Sequence, residues 1–339
     1  MPVTPTDQGP LPALLGLIQG SMVTQSIYAA VKLGIADVLA AEPLPVEEIA
    51  RRVDANPDGV HRLLRLLSSY SIFVEVDGRF ALTEMADALR ADVPNSLRGI
   101  ALLMGDPRHW EEWSLLTESV RTGDASTPKL RGMSIFEYFD VDTEYRAAFF
   151  GGMGNLSALE TQPVAAAYDF SGFDTIVDVG GGGGALLAAV LQRAGTSHGI
   201  VFDDPSATAG AAATLAEAGV ADRCAIEAGS YFESVPAGGD AYLLKHIVHD
   251  WPESTALEIL KNVRAAIRPT GSLFLMEFVL PDGDDPHIGK LVDLWLMLLV
   301  GGRERTSAQY SQLLEAAGFR LHQVVRTESP VSIIEARPR

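Results

Sequence analysis

Hydrophobic positions recur at three- and four-residue steps along "PALLGLIQGSMVTQSIYAAVKLGIADVLA", which predicts helix over the N-terminal stretch. The next stretch, "PVEEIARRVDANPDGVHRLLRLLSSYSIFVEVDGRFALTEMADAL", reads as two amphipathic helices joined at "DANPD". Two alternating runs follow around Asp77-Gly78, a hairpin signal. Helix-turn-helix plus hairpin is a winged-helix pattern. From about Pro94 to Ala167 the chain again reads as helix with polar loops. Then the period changes. "TIVDVG", "HGIVFDD", "RCAIEAG", "DAYLLKHIV" and "SLFLMEFVL" are short apolar runs. "GALLAAVLQRAG", "AGAAATLAEAG" and "STALEILKNVRAAI" are helical segments among them. Strands alternating with helices predict an α/β fold with a doubly wound, mostly parallel, Rossmann-like sheet. The expected organisation is a mainly helical, winged-helix-like domain over 1–100, a helical linker over 101–168 and the α/β domain over 169–339. The main boundary falls near Ala165 to Ser171.

Composition narrows the function classes. A 339-residue chain that is 47% hydrophobic has room for one large core or two ordinary ones. Its net charge of -18 repels phosphate backbones and anionic membranes, so neither nucleic acid nor membrane is an expected partner. Within the winged segment, Pro43 to Arg90, six Arg face eight Asp or Glu, net -2. That sign disfavours DNA reading and favours a structural role such as dimerisation or a lid. The single cysteine, Cys224, allows no intrachain disulfide and no Cys-based zinc cluster, which fits a cytoplasmic location. "MPVTPTDQGPLP" lacks the form of a secretory signal. The longest apolar run, "LVDLWLMLLV", contains Asp293 and is too short to span a bilayer.

The glycine run after "TIVDV" is the chemical focus. It falls at the carboxyl end of the first strand of the doubly wound part, where such sheets bind ligands. Glycine tolerates positive φ and lets a ligand touch the backbone. Asp203 lies 19 residues past Gly184, at the end of the second of these strands, where a carboxylate can accept bonds from ribose hydroxyls. These features predict a nucleoside-containing cofactor. The glycines sit at alternate positions after an acid, Asp178-x-Gly180-x-Gly182-x-Gly184, and a dinucleotide spacing begun at Gly180 meets Ala185 at its sixth residue. A nicotinamide dehydrogenase is therefore disfavoured.

The Asp-x-Gly-x-Gly-x-Gly form resembles the first motif of S-adenosylmethionine-dependent methyltransferases. Six blocks in order make the resemblance specific: "LGIADVLA", "VDVGGGGG", "VFDDP", "GSYFESVP", "LLKHIVHDW" and "GGRERT". Together they are similar to the O-methyltransferases of plant phenolics and of bacterial polyketide and aromatic natural products. The resemblance covers nearly the whole chain. It implies a methyltransferase sheet, a winged-helix-like dimerisation domain, a homodimer, S-adenosylmethionine as cofactor with S-adenosylhomocysteine as product, and a small aromatic acceptor.

From the residues alone, a histidine at the end of the fourth strand of that series could be a general base or a structural group, and His246 and His249 both qualify. An unperturbed imidazole suits a phenolic proton. The resemblance implies His249 as the base, with Glu277 and Glu304 holding its ring. It implies cofactor contacts from the Asp178, Gly180 and Gly182 turn, from Asp203 to ribose, from Asp204 beside the adenosyl group, from Tyr231 on adenine and from Lys245 to the methionyl carboxylate. Asp204 stands where relatives usually carry Leu, and Ser230 where they carry Asp. Phe149, Met153, Trp295 and Leu299 would line an apolar acceptor pocket, or else form helix core. Asp250 would contact substrate or cap the following helix. His61, His109, His198, His287 and His322 show no ligand spacing, so no metal is expected. Two rivals to methyl transfer are a cofactor-binding relative that hydroxylates or decarboxylates polyketides, and a ligand-responsive winged-helix regulator. His249 argues against the first and the acidic wing against the second.

Overall fold

The computed structural model describes residues 9–339, so the leader reading of "MPVTPTDQ" lies outside the described residues. The chain forms two compact units: the described residues up to Ser114 together with Phe136–Ser157, and Leu115–Ile135 together with Ala158–Arg339. The segment 101–168 is thus shared between the two units. The long helix Thr143–Ala167 contributes residues to both.

In the first unit, helices Val46–Arg52 and Pro57–Ser69 precede the hairpin of strands β1 (Phe73–Val76) and β2 (Arg79–Leu82). Asn56 caps the second helix by accepting from the Gly59 amide, and Pro57 occupies its first turn. Asp77 and Gly78 both have positive φ, 52° and 73°, as the two-residue hairpin turn requires. The predicted winged segment is therefore present. Its apolar sides, among them Ile49, Leu64, Leu67, Phe73 and Phe80, form one core. Helices Pro10–Lys32 and Arg98–Gly105 meet closely, because a Cβ at Gly105 would lie 2.2 Å from Tyr28 Cβ. Pro10–Lys32 is also long and apolar enough to cross a membrane, and only 11% of its apolar window is buried. The apolar run from Leu291 to Val300 lies almost wholly in the helix Ile288–Leu299.

The second unit holds the sheet. Its strands are β3 (Thr175–Val179), β4 (His198–Asp203), β5 (Cys224–Ala228), β6 (Ala241–Lys245), β7 (Ser272–Leu280), β8 (Arg305–Thr306), β9 (Phe319–Arg326) and β10 (Val331–Pro338). The spatial order is β5-β4-β3-β6-β7-β10-β9, with β8 beside β7. Strands β3 to β7 pair in parallel, while β10 pairs antiparallel with β7 and β9. All five apolar runs became parallel strands. Both faces of these strands are buried. Ile176, Leu243, Phe274 and Met276 enter one core with helix Ala185–Arg193. Val177, Tyr242, Leu244 and Leu275 enter the other with helices Glu253–Ala266 and Ser307–Ala316. Burial on both faces is why these strands read as unbroken apolar runs. The order reverses between β3 and β6, and the carboxyl ends of strands at such a point are where doubly wound sheets bind ligands.

One buried group in the first unit has a measurable consequence. His109 is 3% exposed, and its Nε2 accepts a hydrogen bond from Trp113 Nε1 at 2.9 Å. Burial lowers its pKa to about 4, with the Asp106 charge opposing. The folded state therefore favours the neutral ring. As pH falls from about 6.5 to about 4, the unfolded chain takes the proton first and stability is lost, up to about 3 kcal/mol. Denaturant unfolding across this window should show a steeper loss in wild type than in His109→Gln. Equal slopes would refute the assignment.

Candidate active site

The glycine turn follows β3. Gly180, Gly182 and Gly184 take positive φ of 72°, 49° and 76°, the same alternate positions singled out in the sequence. Gly180 also admits close packing: a Cβ there would lie 2.3 Å from Ile247 Cδ1, whereas one at Gly182 would meet nothing within 4 Å. The amides of Gly180 and Gly181 donate to Phe202 O, tying the turn to β4. Asp203, at the end of β4, accepts from the Gly182 amide at 2.9 Å and the Asp204 amide at 2.7 Å. Asp178 is buried beneath the turn, and its Oδ2 has no hydrogen-bond partner among the described residues. Burial and the nearby Asp203 charge push its pKa up to about 7. Burial also raises Asp203. Tyr231 lies beside the turn, its Cε1 3.8 Å from a Cβ built on Gly180, and its ring packs on Phe232 at 4.6 Å. Ser230 O accepts from the Glu233 and Ser234 amides, and Asp204 is exposed, accepting from the Ser206 amide.

A second cluster follows β6. Its backbone turns sharply at His246, whose φ of 54° is unusual for a residue with a Cβ. A short 3-10 turn, Val248–Asp250, then carries His249. The His246 and His249 rings stack with centroids 4.9 Å apart and planes at 24°. His249 Nδ1 donates to Glu304 Oε1 at 2.6 Å, and Glu277 Oε2 lies 3.4 Å from the same nitrogen. Glu277 Oε1 accepts from the Val248 amide at 3.0 Å. Asp250 Oδ1 lies 3.4 Å from His249 Nε2. His249, Glu277 and Glu304 are all buried. The structure thus brings together the three residues assigned to catalysis.

Electrostatics follow from this packing. Burial alone would lower the His249 pKa, but Glu277, Asp250 and Glu304 outweigh it and push it up to about 10. His246 is raised likewise, Glu160 and Glu277 outweighing burial. Burial would raise Glu277, yet the two imidazoles hold it below the usual carboxylate range. Burial raises Glu304 and Asp250, with His249 opposing in both.

Sequence reasoning missed Glu160. It stands on the helix Thr143–Ala167, and its Oε2 accepts from Lys245 Nζ at 2.8 Å and from His246 Nε2 at 2.9 Å. Burial would raise its carboxyl, but His246 and Lys245 pull it down to about 2. Lys245 is therefore already ion-paired within the unit. A single acid in a helical segment carries no local signal of such pairing. Asp293, which accepts from the Glu304 amide at 2.8 Å, was missed for the same reason. Trp295 and Leu299 are buried on the helix Ile288–Leu299. Phe149 and Met153 belong to the other unit, where Phe149 packs on Phe139 with centroids 4.8 Å apart.

Two family models match the chain: an O-methyltransferase domain over residues 113–320 and an O-methyltransferase dimerisation domain over 15–92. A phenazine O-methyltransferase from Lysobacter antibioticus is 40% identical over 326 residues, covering 96% of this chain and 95% of that protein. Among solved structures, a methyltransferase of calicheamicin biosynthesis in its S-adenosylhomocysteine-bound form is 33% identical with a TM-score of 0.86, covering 98% of this chain and 100% of that one. An O-methyltransferase from neocarzinostatin biosynthesis, in complex with S-adenosylmethionine and 2-hydroxy-5-methyl naphthoic acid, is 30% identical with a TM-score of 0.79, covering 94% and 96%.

The geometry makes Gly302 a sensitive position. Arg303 N donates to His249 O at 2.8 Å, and a Cβ on Gly302 would lie 2.1 Å from that same oxygen. Backbone cannot yield as a flexible side chain does. Gly302→Ala should therefore cost about 1–3 kcal/mol of stability and move the His249 segment. Gly183→Ala, whose Cβ would meet nothing within 4 Å, is the control. In proton NMR the low-field Nδ1–H signal of the His249–Glu304 bond should shift or vanish in Gly302→Ala and persist in Gly183→Ala. Equal stability and unchanged signals in both would show that Gly302 is not tightly packed.

Proposed function

Because the chain belongs to the O-methyltransferase family and is an S-adenosylmethionine-dependent enzyme of natural-product type, we propose that it methylates a phenolic hydroxyl of a small aromatic or polycyclic acceptor, with His249 as general base. The observation that carries this reading is the buried His249 Nδ1–Glu304 bond at 2.6 Å at the ligand edge of the sheet. With Nδ1 donating, a neutral His249 keeps its lone pair on Nε2, free to take the acceptor's proton. Glu277 and Glu304 stabilise the imidazolium that results. The acids around His249 raise its pKa, so the neutral ring, the form that acts as base, gains ground as pH rises and holds the acceptor's proton firmly once it takes it.

S-adenosylmethionine, when bound, supplies an electrophilic methyl group on a sulfonium and leaves as S-adenosylhomocysteine. The residues after β3 and β4 fit it. Gly180 and Gly182 bring bare backbone to the crevice, Asp203 has a carboxylate fixed by two amides, and Asp178 Oδ2 is buried without a hydrogen-bond partner among the described residues. These acids suit a cationic cofactor. Tyr231 would stack on adenine, with Ser230 and Asp204 at its rim. Lys245 would reach the methionyl carboxylate in competition with Glu160. For the acceptor, we infer apolar contacts from Trp295 and Leu299, with Asp250 as a polar contact. The naphthoic acid held by the neocarzinostatin enzyme supports a flat aromatic ring. We place the enzyme in the cytoplasm, where its lone Cys224 stays reduced.

His249→Ala should lower single-turnover methylation of an accepted phenol about 10²–10⁴-fold while calorimetry shows S-adenosylmethionine binding retained. Glu304→Gln should cost less. A near wild-type rate in His249→Ala would sink the base assignment.

We further infer a homodimer. Leu11, Leu14, Leu17 and Ile18 expose 78%, 54%, 72% and 66% of their surface on the helix Pro10–Lys32, part of which lies in the matched dimerisation domain. An apolar stripe of this kind calls for a cover. Light scattering should report a dimer for wild type and a monomer for Leu14→Glu/Ile18→Glu. A wild-type monomer, or partition of wild type into lipid vesicles, would overturn this.

A further inference from the structure

His246 is not used by the chemistry above, and two buried atoms beside it lack hydrogen-bond partners. His246 Nδ1 and Glu277 Oε2 are unpaired among the described residues and face each other at 3.6 Å. Glu277 is fully buried. Glu277 Oε2 also lies 3.4 Å from His249 Nδ1, and the donor atoms of the three residues all lie within 4.8 Å of one another. A tetrahedral zinc ion with bonds of about 2.1 Å sets its ligand atoms about 3.4 Å apart. Two of the three separations therefore already match. Glu304 Oε1, 2.6 Å from His249 Nδ1, is placed to become a fourth donor. His246 donates Nε2–H to Glu160, which leaves the lone pair of a neutral ring on Nδ1. A carboxylate behind a ligating histidine is the usual support of such a ligand.

We propose that His246, His249 and Glu277, with Glu304 as fourth donor, form a binding site for a divalent transition-metal ion of the zinc type, and that the ion inhibits methyl transfer. Two carboxylates and two neutral imidazoles balance a doubly charged ion. On binding, the proton on His249 Nδ1 leaves to solvent, the Nδ1–Glu304 hydrogen bond breaks and a metal–nitrogen bond forms; an imidazolium keeps its Nε2 proton, and a ring that began neutral takes one from solvent on Nε2. The hydrogen remaining on the His249 ring then sits on Nε2, so no lone pair is left for the acceptor's proton. The inhibition rests on the reading of His249 as base. The binding does not.

The probe is cobalt(II), titrated into full-length protein stripped with a chelator. One equivalent should produce the intense visible bands of a four-coordinate site. His246→Ala and Glu277→Gln should abolish them, and Glu160→Gln should weaken affinity about 10–100-fold. Thermal unfolding checks that each variant folds. If a variant does not fold, diethylpyrocarbonate footprinting of wild type, read by mass spectrometry, takes its place, with zinc expected to protect His246 and His249. In the methylation assay zinc should inhibit and chelator should restore the rate. Absence of the bands, bands that persist in both ligand variants, or failure of zinc to protect the two histidines would overturn the site. Four-coordinate binding without inhibition would overturn the inhibitory half. A full rate in His249→Ala alongside an intact cobalt spectrum in wild type would instead refute the base assignment and leave the site standing.

Discussion

The second unit is organised around buried charge that must be compensated. Glu160, Glu277 and Glu304 are each sealed from solvent. A carboxylate in that position is costly unless a cation or several donors reach it. Lys245, His246 and His249 supply the cations, and the Val248 amide supplies a further donor. These groups come from the helix Thr143–Ala167, from the end of β6 and the turn after it, from β7 and from the residue before β8. Removing one partner leaves another charge uncompensated, so the cluster locks these segments together.

That requirement goes with one departure from ordinary backbone and one close approach of two chain segments. His246 takes a left-handed φ of 54°, which turns its ring onto His249 and between Glu160 and Glu277. Gly302 has no Cβ because His249 O occupies the space one would need. Both border the segment that follows β6. The glycine turn after β3 is the counterpart beside β4: Gly180, Gly182 and Gly184 take positive φ, and Asp203 holds the turn through the Gly182 amide. Carboxylates on one side thus border the glycine turn, and on the other they stabilise a protonated imidazole.

The antiparallel pair β9 and β10 shows where pattern reading falls short. "FRLHQVVR" and "VSIIEARP" carry charge within the strands, and the sequence reading did not name them. Glu335 in β10 is fully buried, yet it accepts from Tyr168, Ser272, Gln323 and Arg337. A buried acid satisfied by groups distant in sequence looks like a surface residue until the chain is folded.

Much of this protein was legible in order along the chain. Strand and helix periods, the Asp77-Gly78 hairpin and the alternate glycines are local features, because backbone geometry and burial on one or both faces act over a few residues. They sufficed for the winged segment, the parallel sheet and the glycine turn. His249 and Glu304 were singled out through the resemblance of the blocks around them, not through any local rule. What the sequence could not determine was which groups neutralise one another. The pairing of Glu160 with Lys245 and His246 spans about eighty residues, and the approach of Glu277 to both imidazoles depends on β6 and β7 lying side by side. Periodicity records which face of an element is buried. Only the tertiary packing decides what each buried charge meets there, since that depends on distances between segments the sequence keeps far apart.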